Sequence, residues 1–236
     1  MMENNLKSIL VLGDSILKGI IGGESDSKRF EVIEENSLQL AGNELGIEII
    51  NKSVFGATIQ KAQKTINRCI KSGTKADICI IESGGNDADY DWTLVSENPD
   101  GEHLQRCPIE EFDRILDEMV KTARENRMTP VIMTLPPLVG DWWYENICIG
   151  QNVEAVKKFV GDDIYRLYRN QELYSLHAAE YARKNDVQLV DMRSAMLAHK
   201  NYREIMCHDG IHPNLDGYRY MAEIWKKELP EIKLEF

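Results

Sequence analysis

Short apolar runs that alternate with stretches of helical periodicity constrain this chain more than any other property. The runs are Ile9 to Leu12, Ile47 to Ile50, Asp77 to Glu82, Val131 to Leu135 and Val187 to Val190, each of a length suited to a buried strand. Between them, Leu38, Ala41 and Leu45 recur on one helical face, and so do Ile59, Ala62, Ile66 and Cys69. Gly46 and Ser72-Gly73 follow where those helices should close. The strongest stripe is Phe112, Ile115, Leu116, Met119, Val120 and Ala123, entered through Pro108. From Gln151 to Asn185 the pattern predicts helix, broken around Gly161-Asp162-Asp163 with Asp162 as candidate cap of the second piece. A last amphipathic helix carries Leu215, Tyr218, Met221, Ala222 and Trp225. Strands alternating with helices give a parallel sheet covered on both faces. With no repeat and no linker-like stretch, residues 1–236 read as one α/β domain.

Two segments escape the pattern. Ala88 to Cys107 lacks periodicity over a length that usually marks function, and with Tyr90, Trp92 and His103 it is read as a lid. Leu138 to Gly150, after the strand-stopping Pro136-Pro137, is read as a loop carrying Trp142, Trp143 and Tyr144. A net charge of −11 argues against a nucleic-acid partner. The 5 cysteines are odd in number and lack C-x-x-C spacing, which suggests neither a disulfide framework nor a zinc site. Cys79 lies inside an apolar run and reads as core. The first apolar segment is too short to span a bilayer and has no cleavage pattern, so the expectation is a cytoplasmic protein with reduced thiols and no membrane span.

The polar loops that follow the strands carry the chemistry. Parallel strands run the same way, so the loops leaving their C-terminal ends collect on one edge of the sheet. Gly13-Asp14-Ser15, Gly56, Gly84-Gly85-Asn86-Asp87 and the Asp209-to-His212 turn therefore become neighbours. Ser15 on its own is equally well a helix cap, as is Asp14. Beside a histidine it becomes a nucleophile: an imidazole titrating near 6.5 is mostly neutral at physiological pH and can accept the hydroxyl proton. Asp209, three residues before His212, is placed to hold the other ring nitrogen and so select the tautomer. His208 competes for the same carboxylate, and His212 is preferred. Asp14 and Asp87 read as loop-organising carboxylates, and His103, His177 and His199 as surface residues without matching partners.

These motifs resemble the SGNH, or GDSL, hydrolase superfamily. Gly13-Asp14-Ser15-Ile16-Leu17 is similar to its nucleophile block, Asn51 to Gly56 to its second, Gly84-x-Asn86-Asp87 to its third and Asp209-x-x-His212-Pro213 to its fifth, in the family's order. The resemblance implies a three-layer α/β/α sandwich on a five-stranded parallel sheet, flavodoxin-like, with no metal and no cofactor. It also implies ester hydrolysis through an acyl-serine, with Ser15, Asp209 and His212 catalytic and Ser15, Gly56 and Asn86 forming the oxyanion hole.

Three other functions fit the same pattern: an acyltransferase, a lysophospholipase or thioesterase using the same triad, and a flavodoxin-like binding module. Against the last, the first loop lacks a Gly/Thr-rich phosphate cradle. Neither variable segment has an uninterrupted aliphatic run, while both pair aromatic with acidic residues. The expected substrate is thus a short-acyl ester of a small soluble or carbohydrate-like alcohol, with Tyr90, Trp92, Trp142 and Trp143 as binding residues.

Overall fold

The computed structural model describes residues 6–25, 28–161 and 163–236. Strand β1 (Ser8–Leu12) leads through the one-turn helix α1 (Ser15–Lys18) into a hairpin of β2 (Ile20–Ser25) and β3 (Lys28–Val32). Helix α2 (Ser37–Leu45), β4 (Glu48–Asn51), α3 (Ile59–Lys71) and β5 (Ile78–Ile81) follow. After α4 (Trp92–Glu97) come α5 (Ile109–Glu125), β6 (Thr129–Met133), α6 (Gly140–Cys148) and α7 (Val153–Val160). The chain closes with α8 (Tyr165–Lys184), β7 (Gln188–Val190), α9 (Met192–Leu197) and α10 (Leu215–Glu228).

The main sheet has 5 strands in the order β4-β1-β5-β6-β7, and every pairing is parallel. The order reverses at β1, so the crevice at its C-terminal end is the place where an open α/β sheet receives ligands. Side chains alternate between the two faces. Ile9, Val11, Ile78, Ile80 and Val131 pack with Leu38, Tyr218 and Trp225 beneath α2 and α10. Leu10, Leu12, Cys79, Ile81 and Ile132 pack with Ile66, Phe112, Met119 and Tyr174 beneath α3, α5 and α8. Each such buried aliphatic side chain contributes about 1.5–3 kcal/mol relative to exposure. Both faces are therefore closed, as strands without a polar face require.

Three parts of the chain differ from the sequence reading. The β2–β3 hairpin was not anticipated, because Ile20-Ile21-Gly22-Gly23 lacks the alternation of a half-buried strand. It is held from outside: Tyr218 Oη donates to the Ile20 carbonyl at 2.7 Å, and the Gly22 N–H approaches Cys207 Sγ at 3.3 Å. Residues 138–150 are largely helix rather than loop. No side chain caps α6, and its first turn instead docks on the Asp209–His212 turn, where the Val139 N–H donates to the Gly210 carbonyl at 2.9 Å. Within 88–107, α4 is capped by Asp91, whose carboxylate accepts the N–H groups of Thr93 and Leu94. Helices α4, α6 and α7 share a small cluster of Ile147, Val156 and Val160 with Trp92, Trp143 and Phe159.

The expected cap Asp162 lies outside the described residues; its neighbour Asp163 accepts the Tyr165 N–H at 3.0 Å. Among the described residues no helix is long and apolar enough to cross a membrane, no group of three or more potential ligands could hold a metal, and the five cysteines are free thiols.

Candidate active site

Strand β1 delivers Ser15 to the sheet edge as the first residue of α1, and Asp14 caps that helix by accepting the Ile16 N–H at 2.8 Å. The two sequence readings of this tripeptide thus divide: the aspartate is the cap and the serine hydroxyl is free for another partner. That partner is His212 Nε2, 2.8 Å from Ser15 Oγ. On the other side of the ring, His212 Nδ1 lies 2.6 Å from Asp209 Oδ2. Asp209 Oδ1 accepts the N–H groups of Ile211 and His212 at 2.9 and 3.0 Å, so the turn fixes the carboxylate before it meets the ring. Burial alone would raise the Asp209 pKa; the hydrogen bonds from His212 and Ile211 outweigh it and hold the carboxyl below its ordinary range.

Gly210 lets this turn sit against α6. Its φ is +75°, and an added Cβ would overlap the Trp143 amide nitrogen and the Val139 carbonyl, so only glycine fits. His208 points elsewhere, its ring tilted against Trp142 with centroids 4.6 Å apart along a neighbouring, broader groove.

Ser15, Gly56 and Asn86, the three residues expected to form an oxyanion hole, line one cavity. As the first helical residue, Ser15 presents an N–H with no acceptor inside α1. Gly56, with φ +67°, lines the same cavity, and so does Asn86. Asn86 uses one hydrogen of Nδ2 to donate to Asp14 Oδ2 at 2.9 Å, which fixes the amide plane. Asp87 organises this loop, accepting the Gly84 N–H at 2.9 Å and the Ile59 N–H at 2.8 Å. Its burial pushes the carboxyl up to about 7 against those two bonds.

The cavity over Ser15 measures about 310 Å³. Phe30 and Phe55 wall it on the β4 side, their rings 5.5 and 6.3 Å from the His212 ring. Leu135, Leu167 and Gln171 wall it on the β6 side. The Gln171 amide is pinned, donating to the Pro136 carbonyl at 2.8 Å and accepting from Arg193 at 2.9 Å.

Of the four aromatic residues read as substrate-binding, Trp143 alone reaches this cavity. Tyr90 and Trp92 are corrected: they pack edge-to-face with Phe159 beneath α7, and the indole N–H of Trp92 donates to Asp89. Trp142 sits on the neighbouring groove, under the Arg203 guanidinium. His103, His177 and His199 are half-buried and away from the cavity, and His177 does have a carboxylate, Asp113, at 2.9 Å. Phe30, Phe55 and Gln171 were missed. Phe30 arrives on the unanticipated hairpin, and no periodicity marks Gln171 as facing a cavity.

A profile of the GDSL-like lipase/acylhydrolase family matches residues 11–220. The chain belongs to that family. A search of curated proteins found no match. Among solved structures, this acylhydrolase-family chain is similar to the lipase/acylhydrolase from Enterococcus faecalis, with 18% identity, TM-score 0.67 and coverage of 98% of this chain and 100% of that one. It is similar to a catalytic mutant of an acetylxylan esterase from Geobacillus stearothermophilus, at 18% identity and TM-score 0.66 over 97% and 95% of the two chains. The psychrotrophic esterase EstA from Pseudoalteromonas sp. aligns at 16% identity and TM-score 0.60 over 95% and 97%. At these identities the likeness concerns the fold, which is the α/β arrangement of the GDSL acylhydrolases.

Proposed function

We propose that this family member is a serine esterase that removes short acyl groups from a small, polar alcohol. The observation that carries the reading is the continuous chain Asp209–His212–Ser15, with contacts of 2.6 and 2.8 Å, ending in a hydroxyl at the floor of a cavity. With Nδ1–H held by Asp209, Nε2 is the accepting nitrogen. It takes the Ser15 proton as Oγ attacks the ester carbonyl, and Asp209 stabilises the imidazolium that forms. The carbonyl oxygen gains charge next to the N–H groups of Ser15 and Gly56 and the free hydrogen of the Asn86 amide. His212 then protonates the leaving alcohol, and a water deprotonated by the same nitrogen releases the acid from the acyl-serine.

Cavity size supports a short acyl group, since 310 Å³ stands at the low end of small-molecule sites. Gln171 closes the β6 side with a fixed polar group, where a long chain would need apolar surface for every methylene. Likeness in fold to an acetylxylan esterase agrees with an acetyl-sized preference.

The test is covalent. A fluorophosphonate reagent should modify Ser15, and Ser15→Ala should abolish both labelling and hydrolysis of p-nitrophenyl acetate while leaving thermal unfolding unchanged. Labelling at another serine would refute the nucleophile assignment. A kcat/KM maximum at long acyl chains would refute the substrate class.

A further inference from the structure

Directly under the nucleophile lies a pair of carboxyl groups that the acyl-transfer steps do not use. Glu82 follows β5, tied to the end of β1 by its N–H on the Leu12 carbonyl at 2.9 Å, and its side chain is fully buried. Its Oε2 accepts the N–H of Asp14, the residue just before Ser15, at 3.0 Å. No N–H or hydroxyl donor reaches its Oε1 among the described residues. Asp14, also buried, accepts Ile16 N–H on one oxygen and the Asn86 amide on the other.

The glycines of two motifs lie against these carboxyls, Gly13 too closely to Glu82 for a side chain and Gly85 at ordinary contact with Asp14. A Cβ on Gly13 would meet Glu82 Oε2 at 2.9 Å, and one on Gly85 would stand 3.4 Å from Asp14 Oδ2. The titratable groups facing the pair are Asp87 from the β5–α4 loop, His212 from the turn before α10 and Tyr218 from α10 itself. None of these is a lysine or arginine.

The Glu82 and Asp14 carboxyl groups are in hydrogen-bonding contact, and two adjoining carboxylates cannot both ionise in such a site, so the pair retains a proton. The hydrogen bonds decide where it sits. Burial raises both acids, but Asp14 receives two N–H donors, which favour its charged form, whereas Glu82 receives one. Burial, and then the negative charge of Asp14, push Glu82 well above the usual carboxyl range.

We propose that Glu82 is a positioning residue that remains a neutral acid at physiological pH and donates its proton to Asp14. Asp14 is thereby fixed as an acceptor and clamps the Asn86 amide, leaving the second amide hydrogen directed at the oxyanion. The catalytic part of this inference rests on the esterase reading; the protonation state does not.

The test uses the full chain. In Glu82→Gln the side-chain carbonyl accepts the Asp14 N–H and the amide donates to Asp14, so this variant should retain most of the wild-type kcat. Glu82→Leu supplies neither bond and should lower kcat by about 10²-fold, the scale of a roughly 1 Å misplacement, with a much smaller change in KM. In an Asn86→Ala background the same Glu82→Leu change should cost little more, because the group it positions is gone. Loss in Glu82→Gln equal to that in Glu82→Leu, or an undiminished penalty beside Asn86→Ala, would overturn the positioning role. Infrared difference spectra of wild type minus Glu82→Gln at pH 7 should show the carbonyl stretch of a protonated acid; carboxylate bands there would overturn the proposal without reference to any activity. Absence of esterase activity with that carbonyl band present would instead refute the proposed function alone.

Discussion

Replacing Asp209 by asparagine reverses one hydrogen bond, and the surrounding backbone prevents the new amide from escaping the reversal. Asp209 Oδ1 is pinned by the N–H groups of Ile211 and His212 at 2.9 and 3.0 Å, while Oδ2 faces His212 Nδ1 at 2.6 Å. An asparagine keeps its carbonyl oxygen on the two backbone donors, which places its NH2 against Nδ1. Nδ1 must then accept, the ring proton moves to Nε2, and Nε2 can no longer take the proton of Ser15 Oγ, 2.8 Å away. Flipping the amide back would break two part-buried hydrogen bonds, at about 1–3 kcal/mol each. The competent arrangement is thus roughly 2–6 kcal/mol uphill, a population of about 10⁻² to 10⁻⁴. Asp209→Asn should lose about 10² to 10⁴ in kcat, the upper end matching a wrong-tautomer imidazole. Asp209→Ala leaves room for water to accept from Nδ1 and should be the milder change. The assay is steady-state hydrolysis of p-nitrophenyl acetate near neutral pH, with active-site titration to count competent enzyme. An asparagine variant more active than the alanine variant would refute the pinned-carboxylate argument.

The other predictions concern the oxyanion, the acyl pocket and the response to pH. Asn86→Ala should cost about 10²–10³ in kcat with little effect on KM, and near-normal turnover would show that the amide only holds Asp14. Gln171→Ala removes a cavity wall and should shift the kcat/KM maximum toward longer acyl chains; an unchanged profile across acetyl to octanoyl esters would exclude Gln171 from the pocket. The same variant leaves the buried Arg193 guanidinium without its side-chain acceptor, so Tm should fall as well. Asp87 titrates at about 7 when folded and 3.8 when exposed, so the native state holds an extra proton between those values. Its stabilising contribution is complete below about 3.8 and is lost as pH rises through about 7. Urea unfolding from pH 4.5 to 8 should therefore show a shallower decline in Asp87→Asn than in wild type, and parallel curves would refute the assignment.

What the sequence made legible was whatever a single segment encodes. All five strands of the main sheet and the long helices are written in periodicity, because each buries one stripe or two faces and needs no neighbour to decide it. Helix α6 is not of that kind. Trp142, Trp143 and Tyr144 stand side by side without a cap, and the segment becomes helical by docking Val139 on Gly210 and packing Ile147 in the α6–α7 cluster. The β2–β3 hairpin likewise depends on Tyr218 and Cys207, nearly two hundred residues away. Since Phe30 rides on that hairpin, one wall of the cavity could not be read without it.

The site shows the same division at finer scale. Ser15, Asp209, His212 and Asn86 announce themselves by residue type and spacing, but the reason for the glycines around them does not. Gly13 reads as the residue that lets the chain turn after β1, yet it is absent from the positive-φ glycines, and what excludes a side chain there is Glu82 Oε2 together with Leu17 Cβ, both 2.9 Å from where a Cβ would be. Gly85 is small beside Asp14. Gly13 thus registers a buried acid from another strand end. The sequence carried a sign of this in Glu82, an acidic residue closing the otherwise apolar Ile78–Ile81. A carboxyl at the end of a central buried strand must either pair with a cation or keep its proton. With Asp14 as its neighbour only the second is open, which makes a neutral glutamic acid part of the ground on which the nucleophile stands.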